Sequence, residues 1–261
     1  MTPVIDVTDL RKTFGPAVAV DGVSFTVCEG ESFAVVGESG SGKTTVARML
    51  LGLETPTSGT IAVCGRARPA GRPSSSERRR RAREIQIVFQ DPYSSLDRLQ
   101  KVGEVISTSL SLHFPLTGTA LRTRTLELLE SVGLAERHAS MLPSQLSGGQ
   151  RQRVAIARAI AVEPRVLVLD EAVAALDVSI QAQILNLLAD LRERTGMSYV
   201  FISHDLAVVN QISDTAIVMH QGRVVERGRT ADLLREPKEE YTKALLAAVP
   251  RPGWKPSRRA G

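Results

Sequence analysis

The chain has 261 residues, enough for one large domain or for one domain with an inserted lobe. Hydrophobic residues make up 43% of it and aromatic residues only 4%, which argues against stacking platforms for single-stranded nucleic acid. The formal net charge is +5, and part of it lies in two basic runs, Arg78–Arg81 and Arg258–Arg259. Such runs usually lie on a solvated surface, with contact to anionic lipid headgroups or nucleic acid as the alternative.

Neither the cysteines nor the apolar stretches indicate a secreted or membrane-spanning protein. Cys28 and Cys64 lack metal-ligand spacing and adjoin predicted strands, so we expect free, buried or half-buried thiols in a reducing compartment. Charged residues at positions 6, 9, 11 and 12 interrupt any signal-peptide core. The longest uncharged stretch, 105–121, is rich in Ser and Thr and shorter than the about 20 apolar residues of a membrane span. We expect a soluble or peripheral protein.

The first 90 residues are dominated by predicted strands. Alternating patterns and turn residues predict strands at 4–10 and 23–27, joined by a loop that contains Gly15-Pro16 and Asp21-Gly22. The next predicted elements are a buried strand at 32–36, a helix at 45–51, a strand at 60–64, an exposed loop at 66–76 and a strand at 85–89.

From residue 91 to about 162 the pattern becomes helical and contains no strong strand, which predicts an inserted helical lobe. One helix of this lobe begins at Gly148 or Gly149. The remaining predicted elements are strands at 166–169 and 198–202, a helix over 180–191 that ends at Gly196, a hairpin around Gln221-Gly222, and a tail from Pro250. Strands that alternate with helices predict a mostly parallel sheet covered on both faces, with functional residues where strands end.

A phosphate-binding loop lies between the strand at 32–36 and the following helix. Gly37-Glu38-Ser39-Gly40-Ser41-Gly42-Lys43-Thr44 has the required spacing of glycine, four residues, and glycine-lysine-threonine. Its backbone N–H groups and the helix start favour a triphosphate. Lys43 would reach the β- and γ-phosphates, and the Thr44 hydroxyl would ligate Mg²⁺. A glycine-rich turn without a ligand is the alternative.

Two adjacent carboxylates follow the apolar strand at 166–169. Phosphoryl transfer needs Mg²⁺ and a group that positions the attacking water. Asp170 is placed to hold the metal directly or through its water, and Glu171 is placed to polarise the attacking water. A helix N-cap or a salt-bridge pair is the alternative.

Leu146-Ser147-Gly148-Gly149-Gln150 is a second candidate phosphate site. Two glycines at a helix start expose backbone N–H groups to an anion, and Ser147 adds a hydroxyl donor. One chain rarely needs two such sites unless each serves a different nucleotide or they meet across a dimer. A flexible loop ahead of a helix is the alternative.

These stretches, with Gln90, Ala175-Leu176-Asp177 and His204, resemble in order and spacing the motifs of ABC-transporter ATPases, over nearly the whole chain to about Pro250. The resemblance implies an α/β fold of the P-loop NTPase (RecA-like) kind. It has a mostly parallel sheet core, an N-terminal antiparallel β subdomain and an inserted α-helical subdomain. The implied bounds are 1–250 for the ATPase domain, with 1–90 and 161–240 as core, 91–160 as helical subdomain, and 251–261 as a basic tail.

The resemblance also implies residue roles. Gln90 contacts Mg²⁺ or water and couples the site to the helical lobe, Asp177 lies at a dimer seam, and His204 hydrogen-bonds the γ-phosphate. Phe14 stands where the family more often has tyrosine and stacks on adenine. Without the family, Phe14 and His204 would more often be structural. The implied sets are catalytic Lys43, Gln90, Glu171 and His204; metal-binding Thr44, Gln90 and Asp170; and nucleotide-binding Phe14, Gly37, Glu38, Ser39, Gly40, Ser41, Gly42, Lys43, Thr44, Thr45, Ser147, Gly148, Gly149, Gln150 and Asp177.

The family further implies ATP and Mg²⁺ as cofactors and a head-to-tail dimer with the same or a related chain. In that dimer Ser147, Gly148 and Gly149 of one subunit close over ATP held by Lys43 of the other, which explains the two phosphate sites. The implied partners are membrane-spanning permease subunits, docked through the helical lobe, and indirectly an extracytoplasmic solute-binding protein, with no nucleic acid. The implied location is peripheral, at the cytoplasmic face of the inner membrane.

Three further stretches, Val88–Asp97, Asp177–Gln183 and Tyr241–Leu246, resemble the oligopeptide/dipeptide/nickel branch of import ATPases. Arg98 stands where that branch usually has proline, and Ala174 stands where serine is usual. The cysteine-bearing C-terminal extension of the branch's longer members is not expected in this chain. The likeness implies an ATP-hydrolysing subunit that energises import of oligo- or dipeptides, with nickel or another solute as the alternative. A soluble ABC ATPase acting on nucleic acid or ribosomes, a P-loop kinase or GTPase, and an exporter subunit are the rival classes.

Overall fold

A computed structural model of the chain describes residues 2–69, 71, 73–91 and 96–247. The strands are β1 (Pro3–Phe14), β2 (Ala17–Cys28), β3 (Ser32–Val36), β4 (Ser58–Val63), β5 (Arg66–Ala67), β6 (Ile85–Val88), β7 (Val166–Asp170), β8 (Ser198–Ser203), β9 (Thr215–His220) and β10 (Arg223–Arg229). The α-helices are α1 (Lys43–Leu50), α2 (Ser75–Glu84), α3 (Val102–His113), α4 (Gly118–Ser131), α5 (Gly148–Ile160), α6 (Val178–Thr195), α7 (Leu206–Ile212), α8 (Thr230–Arg235) and α9 (Glu240–Ala247). Short 3₁₀ helices span Glu136–Ser140 and Pro143–Gln145.

The larger sheet has the strand order β10-β9-β3-β8-β7-β6, and all neighbours are parallel except β10 with β9. Every residue of β3, β7 and β8 is buried, as expected for parallel strands covered on both faces. Leu167 and Leu169 of β7 pack into one apolar core, while Val166 and Val168 pack into the core on the other face. The smaller sheet is antiparallel, in the order β2-β1-β4-β5. The predicted fold class is confirmed.

The sheet order brings the carboxyl ends of four parallel strands together. Val36 at the end of β3 pairs with Ser203, Asp170 at the end of β7 pairs with Ile202, and Val88 at the end of β6 pairs with Leu169. The loops that follow these strands therefore meet along one edge of the sheet. This edge contains the phosphate-loop sequence, Asp170-Glu171 and His204.

The predicted helical lobe is described over residues 96–162, and this range contains helices and loops but no strand. Helices α3, α4 and α5 share one apolar core with the face of β7 that carries Leu167 and Leu169. Val154 and Ile156 of α5 are fully buried in this core. The bounds assigned to the subdomains stay a prediction.

Two loop predictions are wrong. Between the first two strands, only Gly15-Pro16 forms a turn, and Asp21-Gly22 lies inside β2, where the pairing register with β1 shifts between Leu10 and Lys12. Bulges of this kind interrupt the alternation from which strands are predicted. At 66–76, β5 pairs with the end of β4, and Ser74 caps α2 by accepting a hydrogen bond from the Glu77 N–H, 3.2 Å away.

The arginine run 78–81 lies in α2, which the sequence did not predict because the helix has no apolar periodicity. Arg80 and Arg81 both form ion pairs with Glu77. Helices α7, α8 and α9 were also not predicted, and α1 begins two residues before the predicted start. Other predictions hold: Gln221-Gly222 forms the turn between β9 and β10, and both cysteines are free and half-buried.

Pro92–Ser95 and the chain from Pro250 onward, with Arg258–Arg259, lie outside the described residues, and so do the predictions made for them. Among the helices of the described residues, none is long and apolar enough to cross a bilayer.

Candidate nucleotide site

The phosphate loop is shaped by glycines that no other residue could replace. Gly37 and Gly42 have φ angles of 155° and 101°. A Cβ atom at Gly37 would lie 2.3 Å from the Met219 carbonyl oxygen, and one at Gly42 would lie 2.4 Å from the Ala19 carbonyl oxygen. The loop is therefore held between the backbones of β2 and β9, and only glycine allows both the fold of the loop and the close approach.

Lys43 is the central cation of the loop. Its ammonium donates hydrogen bonds to the backbone oxygens of Gly37 and Glu38, each 2.7 Å away, and only 4% of the residue is exposed. Burial lowers the pKa of Lys43, and the negative charges of Glu171 and Asp170 oppose this shift. A cation at a helix start beside a loop of backbone N–H groups stabilises a polyanion such as a triphosphate.

Thr44 and Asp170 supply oxygen atoms next to that cation. The Thr44 hydroxyl donates a hydrogen bond to Asp170, with an Oγ1–Oδ1 distance of 3.4 Å. Burial, and then the charge of Glu171, raise the pKa of Asp170, which is 6% exposed. The described residues contain no cluster of three or more His, Cys, Asp or Glu side chains suited to a metal. Mg²⁺ bound together with phosphates needs only one or two protein carboxylates, so this donor set fits it.

Glu171 and His204 form a hydrogen-bonded pair beside Thr44 and Asp170, the candidate Mg²⁺ ligands. His204 Nδ1 lies 3.1 Å from Glu171 Oε1. Glu171 has a φ angle of 47°, which is uncommon for a residue other than glycine, and its N–H donates to the Ile202 oxygen, 2.9 Å away. The Glu171 side chain is 18% exposed and that of His204 is 55% exposed. A solvent-accessible carboxylate in a fixed, strained turn suits a group that orients a water molecule.

The Ser147–Gln150 turn begins α5 with reciprocal hydrogen bonds. Ser147 Oγ accepts from the Gln150 N–H at 3.3 Å, and Gln150 Oε1 accepts from the Ser147 N–H at 2.9 Å. A Cβ atom at Gly149 would lie 2.5 Å from Ile180 Cγ2, whereas one at Gly148 would meet only Leu176 Cδ2, at 3.8 Å. Gly149 is thus required by packing against α6, independently of any anion.

The structure brings some predicted residues together and leaves others apart. Lys43, Thr44, Asp170, Glu171 and His204 form one cluster. Gln90 is exposed and follows the adjacent strand β6 by two residues. Among the described residues, no hydrogen bond joins the Ser147–Gln150 turn to that cluster. The other predicted site residues lie around the cluster or on the surface: Gly40 and Thr45 in the loop and at the start of α1, exposed Glu38 and Ser39, buried Ser41, half-exposed Phe14, and exposed Asp177 at the N-cap of α6.

Several contacts at the loop were not predicted because they come from residues far away in the sequence. The Gly222 N–H donates to the Ser41 oxygen at 3.1 Å, and the Tyr241 hydroxyl lies 3.3 Å from the Glu38 nitrogen. The Ala19 and Met219 carbonyls press on the loop glycines. Contacts made by backbone atoms cannot be read from residue types, so the sequence did not indicate them. The one sequence feature related to these contacts was the resemblance of residues 241–246 to the oligopeptide/dipeptide/nickel branch of import ATPases.

The sheet order, the loop and the paired acidic residues define a P-loop nucleoside-triphosphatase. Comparison with known proteins narrows this class. The ABC transporter family matches residues 20–174. The dipeptide transport ATP-binding protein DppF of Escherichia coli is 44% identical over 95% of this chain and 77% of its own length. The oligopeptide transport ATP-binding protein OppD of Mycobacterium tuberculosis is 47% identical over 96% of this chain and 40% of its own length.

Two solved structures share the fold. The ATP-binding cassette MJ0796, a dimer bound to ADP and Pi, superposes with a TM-score of 0.78 at 31% identity, covering 87% of this chain and 98% of that one. The cbiO1 protein of Clostridium perfringens superposes with a TM-score of 0.81 at 28% identity, covering 90% and 92%. The chain belongs to the ABC transporter family and is an ATPase whose hydrolysis of ATP is coupled to transport.

Proposed function

We propose that this chain is the ATP-hydrolysing subunit of an importer of oligo- or dipeptides. Buried Lys43 facing Asp170 and Glu171 carries the ATPase part of the proposal. The peptide part is supported by relatives 44–47% identical over most of the chain, which are named dipeptide and oligopeptide transport proteins. The subunit would act at the cytoplasmic face of the membrane on permease partners that contact its helical lobe, and a solute-binding protein would deliver the peptide to them.

ATP would be held mainly by the phosphate loop. The backbone N–H groups of Gly40–Thr45 would surround the phosphates, and Lys43 would exchange its contacts with the Gly37 and Glu38 carbonyls for phosphate oxygens. The exposed ring of Phe14 would stack on adenine, with Lys12 beside it at 4.8 Å from the ring centroid. The site thus binds both ends of the nucleotide.

Thr44, Asp170 and Gln90 would hold Mg²⁺, which neutralises charge on the phosphates when bound. The chain's own groups then act on the water and on the γ-phosphate. Glu171 would orient and polarise the attacking water, and His204 would hydrogen-bond the γ-phosphate while its contact with Glu171 keeps both side chains in register.

The Ser147–Gln150 turn would act on the nucleotide of a second subunit. It has no hydrogen bond to the Lys43 cluster within the described part of this chain. A head-to-tail dimer would place Ser147, Gly148 and Gly149 over that phosphate, with Asp177 at the seam, and the solved cassette MJ0796 is a dimer. ATP binding would close such a dimer, and hydrolysis would reopen it.

The proposal is tested with Glu171→Gln. The variant should bind ATP, form a stable ATP-dependent dimer with itself or its native partner, and lose about 10²–10⁴-fold in turnover, the usual effect of removing a general base. Glu193→Gln, an exposed glutamate near the end of α6, is the matched control and should hydrolyse ATP normally. Full turnover by Glu171→Gln would remove Glu171 from this role.

The solute is tested in proteoliposomes that contain the permease subunits. ATPase activity should rise when the solute-binding protein is loaded with a dipeptide or oligopeptide and should not rise with Ni²⁺. Stimulation by Ni²⁺ alone would overturn the peptide assignment while leaving the ATPase assignment intact.

A further inference from the structure

A tyrosine near the end of the described chain touches the phosphate loop. The hydroxyl oxygen of Tyr241, in α9, accepts a hydrogen bond from the backbone N–H of Glu38, with an oxygen–nitrogen distance of 3.3 Å. The Tyr241 ring packs on His220, the last residue of β9, with ring centroids 3.9 Å apart and planes inclined by 34°. β9 pairs directly with β3, the strand that leads into the loop. Tyr241 therefore contacts both the loop and the strand that borders it.

Glu38 also contacts Lys43, the lysine of the phosphate loop, through its backbone carbonyl. Its oxygen accepts a hydrogen bond from Lys43 Nζ at 2.7 Å, while its nitrogen donates to Tyr241. The two backbone polar groups of this one loop residue are thus bound by two different elements, the oxygen by the loop's own lysine and the nitrogen by α9. A shift of Tyr241 would act on the segment that positions Lys43.

Helix α9 is fixed so that Tyr241 is presented to the loop. Leu245 belongs to the same apolar cluster as Val36 of β3 and Val218 of β9. At the other end of the helix, the Glu226 carboxylate of β10 accepts hydrogen bonds from the N–H groups of Lys238 and Glu239, at 2.8 and 3.3 Å. Burial tends to raise the pKa of Glu226, but its hydrogen bonds outweigh this and the pKa is lowered, so the anchoring carboxylate is held in its charged form.

We propose that Tyr241 is a positioning residue for the phosphate-binding loop, acting through the backbone of Glu38. The inference rests on the proposed ATP site. A loop held in its binding conformation before ATP arrives loses less conformational entropy on binding, and its affinity is correspondingly higher. Among the described residues, Tyr241 forms no hydrogen bond or ring contact with Glu171 or His204. Its removal should therefore weaken ATP binding and leave the chemical step unchanged.

The test compares two tyrosine-to-phenylalanine variants. Tyr241→Phe keeps the ring on His220 and removes only the hydroxyl. Tyr199→Phe is the matched control, since Tyr199 is fully buried in β8 and donates its hydroxyl proton to the Leu188 oxygen at 2.8 Å, away from the loop. Each loses one phenol hydrogen bond, so a general loss of stability would affect both.

We expect Tyr241→Phe to raise the KM and the dissociation constant for ATP about threefold to tenfold, the value of one hydrogen bond, with kcat unchanged within about twofold. In hydrogen exchange without nucleotide, the segment 37–44 should exchange faster in Tyr241→Phe than in the parent chain. Tyr199→Phe should leave both the ATP affinity and the exchange of 37–44 unchanged.

The outcomes separate the two proposals. If the parent chain binds and hydrolyses ATP, but Tyr241→Phe has the parent's affinity and exchange rates, the positioning role is wrong. The role is also wrong if Tyr199→Phe weakens ATP binding as much as Tyr241→Phe does. If the parent chain fails to bind ATP, the proposed function itself is overturned. Even in that case, faster hydrogen exchange of residues 37–44 in Tyr241→Phe than in the parent chain would support the contact between Tyr241 and the loop.

Discussion

His204 and Glu171 form a hydrogen-bonded pair, with 3.1 Å between Nδ1 and Oε1, although 33 residues separate them in the chain. The pairing arises because β7 and β8 are parallel neighbours whose carboxyl ends lie side by side. Each side chain leaves the end of its own strand, and the two meet in front of the phosphate loop. The pair joins the group proposed to orient water to the group proposed to contact the γ-phosphate.

Replacing His204 tests this pair directly. His204→Ala should lower kcat by about 10²–10³-fold, the effect of losing one preorganised donor to a developing charge. The dissociation constant for ATP should change little, because the loop and Lys43 remain. Steady-state kinetics together with equilibrium ATP binding provide the measurement. His113→Ala, on α3, is the control, and an undiminished kcat in His204→Ala would exclude the role.

The two glycines of the α5 turn should respond differently to alanine. Gly149→Ala places a Cβ 2.5 Å from Ile180 Cγ2 and should cost about 1–3 kcal/mol of stability by overpacking. Gly148→Ala meets only an ordinary contact at 3.8 Å and should leave the melting temperature unchanged or slightly raised. Thermal unfolding without nucleotide measures the difference. Equal melting temperatures for the two variants would contradict the packing role of Gly149.

Asp170 should destabilise the nucleotide-free fold at neutral pH. Burial raises its pKa above the ordinary 3.8, so the folded state prefers the protonated form. The stability that the folded state gains by holding this proton is fully present below the unfolded pKa of the carboxyl. That stability is lost as the pH rises through the raised folded pKa, and the charged, buried carboxylate then remains as a cost. Asp170→Asn should therefore raise the melting temperature at pH 7 by about 2–4 °C, the effect of about 1 kcal/mol.

The control for this prediction is the pH dependence of the rise in melting temperature caused by Asp170→Asn. The advantage of Asp170→Asn should shrink as pH falls toward the range in which the parent carboxyl binds its proton. Unfolding scans from pH 7 downward, without Mg²⁺ or nucleotide, measure it. Asp190→Asn, at an exposed position of α6, is the control for the substitution itself. A gain in melting temperature for Asp170→Asn that is constant across pH would refute the burial explanation.

Phe14 tests the adenine end of the site. Its ring is 48% exposed, lies beside Lys12, and belongs to none of the apolar clusters formed by the described residues. Stacking of a base on an aromatic ring is worth about 1–3 kcal/mol, so Phe14→Ala should raise the KM for ATP about fivefold or more. Phe14→Tyr should behave like the parent. If Phe14→Ala keeps the parent KM for ATP, adenine does not stack on this ring.

The sequence by itself determined the phosphate loop, the Ser147–Gln150 turn and the strand-ending residues Asp170 and Glu171. These features depend on local backbone chemistry: glycines that permit a curled loop, polar groups at a helix start, and an apolar strand that ends in carboxylates. The mostly parallel sheet also followed from alternating strand and helix patterns. Helix α2 did not, because its residues carry charge and no apolar periodicity.

Only the tertiary structure decided what surrounds these local features. The carbonyls of Ala19 and Met219 close on the loop glycines, and Tyr241 reaches Glu38 across 203 residues of sequence. The order of strands in the sheet determines such contacts, and that order depends on the long-range packing of three apolar clusters, which no local pattern describes. The identity of the candidate site residues could therefore be predicted from local sequence, whereas their positions relative to one another are determined by the tertiary fold.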